Sequence, residues 1–153
     1  MELSLAFFVG NVAAITAAVR AGEGTPRDNP DIVHEYADFS LHLVPRDLDL
    51  LSEAIGAHGF EAVRPLRPSL TPVIDEAEYG LLAVDDEWVR YVALSPADPP
   101  ENTAEAWAVA MRAAHNEPHL TVTKDMIRSV ADLRRLCSRA HYEQRPVLHG
   151  WAL

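Results

Sequence analysis

The 153-residue sequence predicts an α+β fold: a mixed, partly antiparallel sheet of about five or six strands packed by about four helices. Three observations lead there. Short apolar runs of strand character alternate with longer stretches of helical spacing. Proline, glycine and capping residues separate them. Residues 79–94 read as a hairpin, which requires an antiparallel pair and makes a purely doubly wound sheet unsuitable. Helices on one face of the sheet, a two-layer arrangement, are preferred to a three-layer sandwich, and the chain is expected to form one domain over residues 1–153.

Taken in order, residues 3–9 are almost continuously apolar, as a strand buried on both faces should be. Asn11 can cap the helix that follows, with Val12, Ile15 and Val19 on one stripe and Gly22 as its stop. Residues 23–31 are polar, contain Pro26 and Pro30, and read as a loop. Phe39, Leu41 and Leu43 alternate with polar neighbours and read as a half-buried strand. Asp47 can then cap a helix carrying Leu48, Leu51 and Ile55, closed by Gly59 with Phe60 folding back on its last turn.

Residues 61–78, punctuated by Pro65, Pro68 and Pro72, read as a long connection with room for one short strand or helical turn. The expected hairpin pairs residues 79–84 with 88–94 around Asp85, Asp86 and Glu87. Asn102 and Glu105 resemble a capping box ahead of a well-packed helix containing Trp107 and Met111. Leu120 and Val122 mark a short strand. Ser129 and Asp132 form a second capping-box pattern before a helix with Val130, Leu133, Leu136, Cys137 and Ala140. Pro146 ends that segment, and residues 147–153 read as a final strand tucked into the sheet.

Composition narrows the function classes. With 48% hydrophobic and 24% charged residues the chain lies among globular proteins, long enough for a core without metal or disulfide staples. The net charge of −10, with Lys124 the single lysine, disfavours nucleic acid and anionic membranes and favours solubility and cationic partners. The lone Cys137 is expected to be a buried, inert thiol. An acid near the start, the short apolar run after it and the lack of any stretch of roughly 20 apolar residues lead to a cytoplasmic expectation.

Motifs with known mechanics are missing. The phosphate loop is absent, and Gly22-Glu23-Gly24 lacks the glycine and helix of a dinucleotide fingerprint. No serine sits between glycines in the nucleophile-elbow pattern. His115 and His119 have a metal-pair spacing, but Pro118 between them indicates two neighbours around a helix exit. Neither a metal nor a cofactor is expected. His34 with Glu35, and His42, are acid–base candidates; Arg64 and Arg67 read as surface arginines paired with acids.

Two site hypotheses follow. The first is an acidic protein-interaction module, of an inhibitor or immunity-like accessory kind, presenting Asp85, Asp86 and Glu87 from the hairpin turn to a basic protein, with Trp88 as apolar contact. The second is an enzyme or small-molecule binder, its pocket joining a histidine or carboxylate to aromatic rings, with Tyr91, Trp107, His149 and Trp151 as lining.

Overall fold

The structure, a computed structural model, describes residues 4–22, 26–41, 43, 45–56, 67–95 and 98–153. Among them lies one five-stranded sheet of order β2-β1-β5-β4-β3, every pairing antiparallel, together with five helices. The α+β class and strand number agree with the sequence expectation.

Strand β1 (Ser4–Gly10) is the expected apolar strand, and helix α1 (Val12–Arg20) starts where Asn11 Oδ1 accepts the Ala14 N–H. Strand β5 (Val147–Ala152) enters at the centre between β1 and β4, so the C-terminal strand closes the sheet. Phe7, Val9 and Val147 point to one face and share its large core with helices α2 to α5, introduced below. Phe8, Leu81 and Leu148 point to the other, where Ile15 of α1 covers them. The period-two alternation of the central strands is thus filled from both sides, four helices against one.

The expected strand at Phe39–Leu43 is displaced. Strand β2 is Val33–Asp38, and the chain turns away beyond it because Asp38 Oδ1 accepts the Ser40 N–H. Phe39 is fully buried just past the strand end. Its polar neighbours hid β2: Glu35 is an edge-strand carboxylate paired with Arg135 and Arg139, both 3.2 Å away.

Helix α2 (Pro45–Gly56) begins with proline at its first position, so Asp47 lies inside the first turn instead of capping it. Gly59, Phe60 and Arg64 lie outside the described residues, as does His42. Gly56 has a steric role, since any Cβ there would collide with the Tyr91 hydroxyl.

The hairpin of the fold is built from β3 (Leu70–Asp75) and β4 (Tyr79–Val84), closed by the Glu76 N–H to Tyr79 oxygen bond of 3.0 Å. This corrects the expected pairing of residues 79–84 with 88–94. β3 was concealed by Pro72, which an edge strand tolerates because one side of its ladder is unpaired. Residues 86–93 instead form helix α3 (Asp86–Ala93), whose Trp88, Val89, Tyr91 and Val92 are all buried on one stripe.

Helix α4 (Pro100–His115) starts two residues before Asn102, so the first capping box does not form. No strand forms at Leu120 or Val122. Helix α5 (Lys124–Glu143) is capped by Thr123, whose hydroxyl accepts the Met126 N–H. Ser129 lies within α5 and donates to the Asp38 carbonyl at 2.6 Å, joining the helix to the end of β2 in place of a second capping box. No helix among the described residues is long and apolar enough to cross a membrane.

Candidate functional site

The acidic cluster has a different local structure from the turn the sequence suggested. Asp85 is the N-cap of α3: its carboxylate accepts the Trp88 N–H at 3.0 Å and the Ser69 N–H at 2.6 Å. One side chain thereby satisfies an orphan helix donor and ties the start of β3 to α3. Asp86 and Glu87 are exposed in the first turn, where the helix dipole favours negative charge. Trp88 is fully buried, stacked on Phe7 with ring centroids 5.8 Å apart.

These roles separate in stability. Asp85→Ala is expected to lower unfolding stability by about 1–2 kcal/mol, as lost caps do. Lysine at Asp86 or Glu87 should cost less than about 1 kcal/mol each. Urea unfolding checks this, and equal losses at all three positions would contradict the capping role of Asp85.

The four expected pocket residues are not gathered around one cavity. The Tyr91 hydroxyl donates to the Ser52 carbonyl at 3.0 Å, and Trp107 Nε1 donates to the Asp47 carbonyl at 2.9 Å. His149 is buried beneath Phe7, with ring centroids 4.6 Å apart, and its Nδ1 lies 3.0 Å from the Ala6 carbonyl. Desolvation depresses its pKa to about 4, only partly offset by that hydrogen bond. Trp151 lies across Gly80 and lines a cavity of about 230 Å³, together with Phe8, Tyr79 and Leu81.

A larger cavity, about 660 Å³, opens where the end of α4, the connection after it and the first turn of α5 approach Ser40, Leu41 and Leu43. Leu41, Leu43, Met111, Leu120 and Met126 give it an apolar wall. Ser40, Thr121 and Thr123 add hydroxyls, while Glu117 and Asp125 supply carboxylates at the exposed rim.

Asp47 and His115 meet at this wall. The Asp47 carboxylate, 4% exposed, lies 2.6 Å from His115 Nε2, whose side chain is 31% exposed. Helix α4 holds the first turn of α2 at two points: Trp107 grips the Asp47 carbonyl and His115, two turns on, grips its carboxylate. A buried carboxylate is tolerated when hydrogen-bonded, and this one fixes the imidazole in orientation and tautomer. When Nε2–H is donated to Asp47 and the ring carries no second proton, the lone pair lies on Nδ1, which has no hydrogen-bond partner among the described residues. A carboxylate holding one imidazole nitrogen while the other is open is an arrangement suited to proton transfer.

Sequence reasoning had met both residues separately, Asp47 as a cap and His115 as a helix-terminal histidine. Their pairing spans 68 positions, and no local pattern announces it. His119 is exposed beyond Asn116, which ends α4 in the left-handed conformation at φ 54°. Among the described residues no group of three or more His, Cys, Asp or Glu side chains is arranged to hold a metal ion. Cys137 is fully buried in α5, and desolvation raises its pKa. Arg67 pairs with Asp49 and Glu53 across 4.0 and 3.8 Å.

No protein-family model matches the chain, and no curated protein or solved structure matches it either.

Proposed function

We propose that this protein binds a small organic molecule in the cavity beside His115 and that the Asp47–His115 pair exchanges a proton with it. The observation that carries this is the buried Asp47 carboxylate, 2.6 Å from the nitrogen of a partly exposed imidazole, at the wall of a cavity of about 660 Å³. Apolar side chains supply affinity there, and His115 Nδ1 supplies a general base.

The acidic interaction module retains Asp86 and Glu87 as exposed carboxylates. Asp85 is committed to capping α3, and Trp88, the expected apolar contact, is in the core. The cavity therefore has the stronger claim.

Two measurements test the proposal. In proton NMR, His115 is expected to show a slowly exchanging Nε2 proton that Asp47→Ala abolishes. In a fragment screen, ligands that raise the melting temperature should shift the His115 ring resonances, because ligands of the folded state stabilise it by mass action. Leu120→Trp, which fills the cavity from its wall, should suppress those hits. Stabilising ligands that leave His115 unmoved and persist in Leu120→Trp would overturn it.

A further inference from the structure

We infer that the ligand of this cavity is an organic cation, an ammonium or amidinium group on an apolar body. The inference rests on the proposed small-molecule role and adds the charge of what is bound. Its first support is the lining: Asp47, Glu117 and Asp125 contribute carboxylates, while no lysine or arginine lines the cavity among the described residues. Asp47 already serves His115, so the recognition charges are Glu117 and Asp125.

A second support comes from the backbone and is independent of those side chains. Helix α4 is 16 residues long and ends at His115 on the cavity wall. The unpaired carbonyls of a helix C-terminus carry partial negative charge and attract cations. Both N–H groups that cap this end, those of Asn116 and Glu117, go to the Arg112 carbonyl. They leave the later carbonyls of the helix to other partners.

The opposing effect is the N-terminus of α5, which would favour an anion. That end is already answered from within the chain, because the Thr123 hydroxyl accepts the Met126 N–H. Arg128 approaches Asp125 only to 3.7 Å, with both side chains about 70% exposed, so water screens that pair and it neutralises Asp125 weakly. Arg112, the one arginine of α4, is engaged by the Leu120 carbonyl at 2.8 Å and by Glu105 at 3.3 Å. On balance the cavity presents negative charge at its rim and aliphatic and thioether groups within. The apolar body of a ligand would lie on Leu120 and Met126 with its charged end at Glu117 and Asp125.

Three six-carbon probes separate charge from shape: hexylammonium, 1-hexanol and hexanoate, titrated by NMR into the intact chain at neutral pH and low salt. Hexylammonium is expected to bind about fivefold to tenfold more tightly than hexanol, an energy near 1 kcal/mol. Hexanoate should bind most weakly. In the double variant Glu117→Gln, Asp125→Asn the ammonium preference should fall to within about twofold, with hexanol unchanged; high salt should reduce it in the same direction. Hexanol binding as well as hexylammonium, with both shifting the His115 ring, would overturn the charge inference while leaving the cavity role standing. Failure of all three probes to shift the His115 ring would overturn both. A preference that survives intact in the double variant would remove Glu117 and Asp125 as the recognising groups.

Discussion

Trp88→Ala should destabilise the protein by about 3–5 kcal/mol, the range for deleting a large aromatic side chain from a packed core. The indole is fully buried and stacks on Phe7 of the central strand β1. Its Nε1 donates at 2.9 Å to Ser52 Oγ, which in turn donates to the Leu48 carbonyl at 2.9 Å. Alanine therefore leaves a cavity beneath the sheet but does not orphan the serine, whose own donor remains bonded. Most of the loss is consequently packing, with the hydrogen bond a minor part. The complementary variant Ser52→Ala removes little volume but leaves the indole N–H buried without its acceptor, a penalty of about 1–3 kcal/mol. Urea unfolding midpoints of the two variants measure both effects. A surface tryptophan serving as an interaction contact would lose within about 0.5 kcal/mol on truncation, and such a small change for Trp88→Ala would contradict its burial.

Acidification should destabilise the fold through His149. Its folded pKa is depressed to about 4 by burial, against about 6.5 in an unfolded chain. Between those values the unfolded state takes up a proton that the folded state refuses, so stability falls as pH drops from about 6.5 toward 4. Above that window this contribution is constant; below it the loss is complete, at about 3 kcal/mol. His149→Gln keeps a donor within reach of the Ala6 carbonyl and removes the titrating group. Denaturant-derived stabilities at pH 7.5, 6.0 and 5.0 should show a shallower pH dependence for the variant than for the parent protein. Identical slopes would exclude His149 as the source.

The elements that could be read locally share a physical character. For β1 the near-continuous apolar run leaves little alternative to a strand between two layers, and Asn11 carries its own cap chemistry for α1. For β5 the signal was an apolar terminal segment behind Pro146. Cys137 lies on the apolar stripe of α5 that the sequence already outlined. In each case neighbours within a few residues supply both the preference and the boundary.

Residues 85–94 were different. Trp88, Val89, Tyr91 and Val92 satisfy helical spacing, yet their aromatic and β-branched composition favours a strand, so composition and period disagreed. The helix prevails because Asp85 caps it and because all four side chains find the core at once. β3 lies where the sequence left room for one short strand without placing it: Thr71, Pro72 and Val73 are exposed, so hardly any burial pattern was written into it, and β4 supplies the pairing. Two capping boxes were misread because Pro100 and Thr123 start their helices earlier.

By itself the sequence determined an acidic chain, an α+β rhythm, an apolar central strand pair and a buried thiol, since each follows from composition or from contacts within one turn or one strand. Only the tertiary structure decided which of the many carboxylates is buried and which histidine it holds. Asp47 and His115 are 68 positions apart, and each looks ordinary in its own helix. The free energy of burying a carboxylate depends on the partner brought to it across space, so the pair exists only once α2 and α4 have packed.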